Sequence, residues 1–251
     1  MPVHRELVAA SERLRLEHVR APSHGPAWGA VHQAEETRCI LPGLGAVQWR
    51  SQGELLVVDP LTAFCLHAGE SYQLRHEGER AHFVLASGPQ QPALLAARAS
   101  LLAPRDLFQL AACCRRLQRG DASVADVAAR LREATARAHP IDAAQIAPVL
   151  AQARRFMALQ AGTRLSLAEI GEEVRCSAFG LTRLFRRHLR ITPHRYRQWL
   201  RLALAIREME RGETDLAGLA HDLGFCSQSH FGQAFRVFVG TTPAAARHAL
   251  A

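Results

Sequence analysis

The sequence predicts a two-part protein of the α+β class, with a strand-rich N-terminal half and an all-helical C-terminal half. Residues 30–87 hold short apolar runs separated by turn residues at intervals of about eight to twelve positions, which is typical of a β-sandwich or small barrel. Residues 104–251 instead carry apolar side chains at the roughly 3.6-residue period of amphipathic helices. The chain has 251 residues, which is enough for two domains with separate cores.

Charge is concentrated in the C-terminal half. The formal net charge is +8, and all 31 basic residues are arginine. Residues 146–251 hold 15 arginines and 8 acidic residues, a net charge of +7, whereas residues 1–145 hold 16 arginines and 15 acidic residues, a net charge of +1. Because phosphate neutralisation supplies most non-specific affinity for DNA, this distribution predicts a polyanionic partner for the C-terminal half.

Taken in chain order, residues 1–20 predict one or two amphipathic helical turns around Leu7, Val8, Leu14 and Leu16. A stretch rich in Pro, Gly and His follows over 21–29. Six strands are then predicted, at Cys39–Leu41, Ala46–Trp49, Leu55–Val58, Ala63–Leu66, Tyr72–Leu74 and His82–Leu85. Two helices are predicted over 104–140, on either side of Gly120. They either cover the barrel or form a dimerisation and coupling element.

The C-terminal half carries clear signals for helix ends. A helix is predicted over Ile146–Gln160, and Ser166 with Glu169 forms a capping box that begins the next helix. Ser177 is predicted to cap a helix over 178–187. Thr192 followed by Pro193 predicts the start of a long helix that ends near Gly212, because a proline at the first helical position loses no hydrogen bond.

Two stretches in this half repeat the pattern helix, tight turn, helix. The second is 216–236, L-A-G-L-A-H-D-L-G-F-C-S-Q-S-H-F-G-Q-A-F-R, and the first is 166–186, S-L-A-E-I-G-E-E-V-R-C-S-A-F-G-L-T-R-L-F-R. The apolar pattern of one copy alone favours an ordinary helical hairpin packed inside a bundle. Two copies, each followed by Thr-Pro, favour tandem helix-turn-helix units that place a second helix in a DNA major groove.

The motif G-F-C-S-Q-S-H-F-G-Q-A-F-R, followed by V-G-T-T-P-A-A-A-R, resembles the signature of the AraC/XylS family of bacterial transcription regulators. The upstream P-H-R-Y-R-Q-W-L-R is similar to the family's first unit. The resemblance covers roughly residues 146–247 and implies two helix-turn-helix units, 166–187 and 215–237, joined by a long helix. It further implies double-stranded DNA as a partner, contacted in two successive major grooves, together with a homodimer and RNA polymerase as a further partner.

The outward positions of the two second helices are the predicted DNA contacts. They are Phe179, Thr182, Arg183 and Arg186 in the first unit, and Gln228, Ser229, Gly232, Gln233 and Arg236 in the second. Arginine can bond guanine through two hydrogen bonds, and glutamine can bond adenine. The family's usual S-H-F-S-R-A-F-R is S-H-F-G-Q-A-F-R here, so that Gln233 replaces the customary arginine. We therefore expect the first unit to carry most of the sequence discrimination.

The stretch V-V-D-P-L-T-A-F-C-L-H-A-G-E-S-Y-Q-L resembles the cupin-like sensor domain of many AraC/XylS regulators. It implies a cupin-like β-barrel or sandwich over residues 1–100 that senses a small-molecule effector, a helical linker or dimerisation region over 101–145, and the DNA-binding domain over 146–251. The predicted effector pocket includes His32, Trp49, His67 and Tyr72. The sequence names neither the effector nor the operator, and it leaves open whether binding activates or represses.

An alternative hypothesis is a metal-dependent cupin enzyme, or a metal or redox sensor, fused to a DNA-binding module. The strand region lacks an H-x-H motif, so we expect no metal, no cofactor and no catalysis. Six cysteines show no C-x-x-C spacing, and only the adjacent pair Cys113 and Cys114 suggests redox or metal chemistry. The sequence holds no run of about 18 apolar residues and no signal peptide, which predicts a cytoplasmic protein with no membrane partner.

Overall fold

The computed structural model describes residues 3–22, 25, 27–76, 78, 80–87, 94–95 and 97–251. These residues form eleven strands and nine helices. The strands are β1 (His4–Ala10), β2 (Leu14–Ala21), β3 (His32–Gln33), β4 (Thr37–Ile40), β5 (Val47–Ser51), β6 (Glu54–Val58), β7 (Thr62–Leu66), β8 (Ser71–His76), β9 (Arg80–Ser87), β10 (Ala99–Leu101) and β11 (His139–Pro140). The helices are α1 (Pro104–Gln118), α2 (Val124–Arg137), α3 (Pro148–Leu159), α4 (Leu167–Glu173), α5 (Ala178–Leu189), α6 (Pro193–Glu210), α7 (Leu216–Asp222), α8 (Gln228–Val239) and α9 (Pro243–Leu250).

Two antiparallel sheets build the N-terminal half. One has seven strands in the order β1-β2-β9-β4-β7-β10-β11, and the other has four in the order β3-β8-β5-β6. Side chains from both sheets meet in a shared core, in which Trp49, Leu56 and Leu85 are fully buried. The six predicted strands are all present, within a few residues of their predicted ends. The predicted fold class, a β-barrel or sandwich joined to an all-α tandem helix-turn-helix domain, is confirmed.

Residues 4–21 form a β-hairpin, so the helical turns predicted around Leu7, Val8, Leu14 and Leu16 are wrong. Strand β2 pairs with β9 along its whole length, from Leu14 opposite Ser87 to Ala21 opposite Arg80. That pairing buries Leu16 and Val19. The apolar spacing of this stretch suits a helical turn or a strand, and the long-range pairing with β9 decides for the strand.

The linker region connects the two halves through packing on both sides. Helices α1 and α2 form an antiparallel pair, and α2 contacts β2. Helix α1 contacts β1 as well as α6, α8 and α9. After α2 the chain returns to the large sheet, where β11 pairs with β10 through Ser100 opposite Pro140. Residue 100, the predicted end of the N-terminal domain, thus lies inside a strand of that sheet.

The predicted helix ends of the C-terminal half agree closely with the structure. Ser166 and Glu169 form the predicted capping box at the start of α4, and Ser177 caps α5. Thr192 caps α6, whose first residue is Pro193. Tyr196 of α6 faces the core and has no solvent exposure. Local sequence signals therefore determine where these helices begin.

Candidate nucleic-acid interface and ligand cavity

The first helix-turn-helix unit consists of α4 and α5. Gly171 in α4 lies against the turn, where an added Cβ would be 2.4 Å from the carbonyl oxygen of Cys176. Ser177 Oγ accepts a hydrogen bond from the Gly180 amide at 3.0 Å, which starts α5 in a fixed direction. Leu181 and Phe185 are fully buried. These contacts leave the opposite face of α5 to solvent.

The predicted DNA contacts of the first unit lie on that solvent face, where all but Thr182 are exposed. Phe179 is 79% exposed, although an aromatic ring is normally buried, and Arg183 and Arg186 are exposed. Thr182 is half-buried, and its hydroxyl donates to the carbonyl oxygen of Ala178 at 2.9 Å. Because that hydrogen bond engages the hydroxyl proton, Thr182 offers DNA an acceptor and a methyl group.

The second unit, α7 and α8, is built in the same way from different residues. Asp215 caps α7, and its Oδ1 accepts from the amides of Ala217 and Gly218 at 3.0 Å each. The turn contains Gly224 at φ +72°, a conformation that favours glycine. Ser227 then caps α8 by accepting from the His230 amide at 3.1 Å.

The outward face of α8 carries fewer charges than that of α5. Gln228, Ser229, Gln233 and Arg236 are exposed, and Gly232 between them is half-buried. Phe231 and Phe235 are fully buried on the opposite side, with their ring centroids 5.5 Å apart. All nine predicted contact positions therefore lie on the two helix faces that the packing leaves accessible, and Thr182 and Gly232 are the least accessible of them.

Gly232 gives a direct test of this packing. No atom lies within 4 Å of an added Cβ at Gly232, so alanine should fit and should raise the free energy of unfolding by about 0.5–1 kcal/mol through its higher helix propensity. Urea denaturation followed by circular dichroism measures the change. The matched control is Gly171→Ala, which should destabilise the chain because its Cβ would meet backbone. Equal effects of the two substitutions would contradict the structure at these turns.

Two arginines of α6 hold the units together. Arg201 donates from Nε to the carbonyl oxygen of Ala161 at 3.1 Å, and from Nη1 to that of Gly224 at 3.1 Å. Arg197 donates to the carbonyl oxygens of Thr163 and Leu165. Burial lowers the pKa of both arginines. Arg201 thus links the segment before the first unit to the turn of the second. These hydrogen bonds fix the placement of α5 relative to α8.

A cavity of about 370 Å³ lies between the two sheets. Its walls are mainly apolar and aromatic, with contributions from Trp49, Phe64, Leu66, Leu74 and Val84. Such a volume lies within the range of small-molecule sites, about 300–1,000 Å³.

Of the four predicted pocket residues, His32, Trp49 and Tyr72 line this cavity. His67 does not. It lies exposed in the turn after β7, where its amide donates to Glu70 Oε2 at 3.1 Å. The pattern of short strands identified which segments face the interior, but it did not distinguish the end of β7 from the turn that follows it.

A buried polar cluster joins the cavity wall to the C-terminal half. Asp59, between β6 and β7, lines the cavity. Its Oδ2 accepts from Arg154 Nη2 at 2.7 Å and from the hydroxyl of Tyr196. Arg154 Nη2 also donates to Thr62 Oγ1 at 2.7 Å and to the carbonyl oxygen of Val57 at 2.9 Å. Arg154 lies on α3 and Tyr196 on α6, so one carboxylate in the β-domain holds two helices of the C-terminal half.

The pKa values of Arg154 and Tyr196 follow from their burial and from the neighbouring Asp59 carboxylate. Burial works to lower the pKa of Arg154, but the charge of Asp59 and the Tyr196 hydroxyl outweigh it and raise that pKa. Burial, together with the charge of Asp59, raises the pKa of Tyr196. Arg154 therefore stays charged although it is buried, and Asp59 supplies its counter-charge. The signal in the sequence was an arginine on the apolar stripe of α3, four residues after the buried Leu150.

The cysteines and histidines form no metal centre within the described ranges, since no group of three or more His, Cys, Asp or Glu side chains could hold an ion there. Cys113 is half-buried and Cys114 buried on α1, and burial raises the pKa of both thiols. Raised pKa values disfavour the reactive thiolate. None of the helices in the described part of the chain combines the length and apolar character that a membrane span requires.

Comparisons with known proteins agree with the C-terminal geometry. Residues 170–249 match a family model described as a helix-turn-helix domain. The chain is 34% identical over 68 residues to the HTH-type transcriptional activator RhaS of Pectobacterium carotovorum subsp. carotovorum and, equally, of Pectobacterium atrosepticum. Those matches cover 27% of this chain and 24% of each relative, so the chain spans about a quarter of the length of these curated relatives.

Solved structures resemble the chain more weakly. A Chromobacterium violaceum regulator with an AraC-type DNA-binding domain is 29% identical, covering 41% of this chain and 93% of that one, with a TM-score of 0.40. Fatty-acid-bound ToxT from Vibrio cholerae is 12% identical, covering 98% of both chains, with a TM-score of 0.42. A cupin from Methanocaldococcus jannaschii is 9% identical, covering 35% of this chain and 81% of that one, with a TM-score of 0.30. At such TM-scores none of these likenesses carries an argument about function.

Proposed function

We propose that the chain is a sequence-specific, DNA-binding regulator of transcription of the AraC type, since residues 170–249 match a helix-turn-helix family model and the chain is 34% identical over 68 residues to the transcriptional activator RhaS. The observation that carries the proposal is the pair of recognition helices, α5 and α8, each with a buried apolar face and an opposite face that exposes polar side chains. The net charge of +7 over residues 146–251 supplies the electrostatic attraction.

The two helices would enter successive major grooves on one face of the duplex. Helix α6 joins the units and spans 18 residues, or about 27 Å at about 1.5 Å per residue, close to the roughly 34 Å between such grooves. The Arg201 contacts to the segment before the first unit and to the turn of the second support a rigid placement. Phe179, Thr182, Arg183 and Arg186 would read or hold one half of the site, and Gln228, Ser229, Gly232, Gln233 and Arg236 the other.

We further propose that a small-molecule effector in the barrel cavity controls DNA binding. Asp59 supports this, because it lines the cavity and also bonds Arg154 and Tyr196 in the helical half. An effector that shifts β6 or β7 would therefore act directly on α3 and α6. The role is regulatory rather than enzymatic, and the family resemblance adds a homodimer and contact with RNA polymerase.

Binding to duplex DNA should depend strongly on salt. If about five phosphates are contacted, the logarithm of the association constant should fall with the logarithm of salt concentration at a slope of about −4 to −5. Fluorescence anisotropy of the intact chain on labelled DNA measures the slope. Arg236→Ala should flatten it by about one unit if that side chain holds a phosphate.

Arg119→Ala is the matched control for this titration. Arg119 is an exposed arginine at the end of α1 and belongs to neither recognition helix, so its removal changes net charge equally but should leave the slope within error. An affinity that stays constant from low to moderate salt would reject the electrostatic basis of the proposal.

A further inference from the structure

We propose that the cavity between the sheets binds an organic monoanion with a hydrocarbon body, and that its carboxylate pairs with the guanidinium of Arg80. The inference rests on the proposed effector role of the β-domain and specifies the chemistry of that effector. It is carried by the distribution of charges and hydrogen-bond donors around the cavity.

Arg80 is the first residue of β9 and lines the cavity. Its Nε is buried without a hydrogen-bond partner, and the side chain forms no ion pair with any carboxylate in the described ranges. Burial lowers the pKa of Arg80 to about 10, against an opposing contribution from Tyr72. That pKa still leaves the side chain protonated at neutral pH. Arg80 as a whole is half-buried, but a buried donor such as its Nε is costly without an acceptor, and an anionic ligand would supply that acceptor and a counter-charge.

The other charged groups of the wall are already engaged. Arg38 Nη2 lies 2.9 Å from Glu36 Oε1, and Arg5 Nη1 lies 3.1 Å from Glu17 Oε2. The carboxylate of Asp59 is bonded to the helical half. Among the described residues, the cavity wall therefore presents one unneutralised positive charge, and one negative charge on the ligand would balance it.

His82 adds no charge to the cavity wall. It lines the same cavity, and burial, followed by the nearby Arg80, lowers its pKa to about 3, so the imidazole is neutral at pH 7. Trp49 adds a second donor, because its Nε1 is also buried without a partner. The wall thus holds two donors in need of oxygen acceptors, in surroundings formed by side chains such as Phe64 and Leu74.

This charge count favours a carboxylate over a phosphate monoester. A phosphate monoester carries about −1.5 to −2 charges at neutral pH and would leave excess negative charge in an apolar cavity. A carboxylate carries one charge, and its two oxygens fit the fork of donors on a guanidinium. The apolar walls require that the rest of the ligand be hydrocarbon.

The test uses three probes with the same ten-carbon chain, namely decanoate, decanol and decyl phosphate, below the concentrations at which they form micelles. Binding to the intact chain is followed by tryptophan fluorescence, since Trp49 lies in the wall, and by the shift in Tm. Decanoate should bind at least about tenfold more tightly than decanol and more tightly than decyl phosphate.

Arg80→Met should abolish this discrimination. Decanoate affinity should fall at least about tenfold, while decanol affinity should stay within about threefold. The control Arg50→Met removes an arginine that lies over the Trp28 ring at 4.2 Å and does not line the cavity, so both affinities should be retained. The Tm of ligand-free Arg80→Met should be no lower than that of the parent chain, because the substitution removes a charged side chain whose Nε is buried without an acceptor. Arg80→Gln gives a second variant with the same expected loss.

Equal affinities for decanoate and decanol in the parent chain, tighter binding of decyl phosphate, or a preference for decanoate that survives in both Arg80 variants would each overturn the inference. So would a chain that binds DNA but none of the three probes, a result that leaves the proposed regulator intact. A chain that binds decanoate through Arg80 but binds no DNA would support this inference and reject the regulator.

Discussion

Replacing Asp59 with alanine is expected to lower the free energy of unfolding by about 3–5 kcal/mol. The substitution removes the counter-charge of Arg154, which has no solvent exposure, and the acceptor of the Tyr196 hydroxyl. It also removes Oδ1, which accepts from the Leu61 amide at 3.0 Å and from the Thr62 hydroxyl at 2.8 Å. Chemical denaturation of the intact chain measures the loss.

A double-mutant cycle separates the ion pair from the packing around it. Arg154→Met alone should also destabilise strongly, because it leaves the Asp59 carboxylate buried without its cation. The double variant Asp59→Leu with Arg154→Met replaces both charges by apolar groups and should lose much less than the sum of the two single changes. Strict additivity, or a loss below about 1 kcal/mol in Asp59→Ala, would mean that the contact across the two halves contributes little to stability.

Replacing Arg183 with alanine is expected to weaken binding to the preferred DNA site by about 1–3 kcal/mol and to relax the preference at one or two base pairs. The side chain is exposed on α5, held there by the burial of Leu181 and Phe185 on the other side. An arginine so placed can donate two hydrogen bonds to guanine. Selection of binding sites from random DNA at fixed salt, repeated for the variant, measures the change.

Gln233→Ala is the matched substitution in the second unit. Gln233 is exposed on α8 but carries no charge, so its loss should cost less and should affect the other half of the site, about one helical turn away. If Gln233→Ala erased the selected motif while Arg183→Ala left it unchanged, the second unit would carry the specificity instead.

The sequence predicted the helical half in nearly complete detail because its signals are local. Caps such as Ser177 and Thr192 bond amides three residues away, and a helix repeats its buried face within four residues. Both recognition helices, and the side of each that faces solvent, follow from such short-range rules. The predicted strands likewise followed from runs bounded by turns, although their pairing partners did not.

The N-terminal strand pairing and the buried polar contacts were decided only by tertiary structure, because they depend on residues far apart in the chain. Pairing with β9 made a strand of residues 14–21, and β1 pairs with that strand in turn. Asp59 and Arg154 are 95 positions apart, and Arg201 reaches carbonyl groups 40 and 23 positions away. Among the described residues, the lack of a carboxylate partner for Arg80 depends on which glutamates lie near the other arginines. No local pattern encodes such contacts, since they form only when two separately specified elements pack, and they are what joins the cavity between the sheets to the helical half.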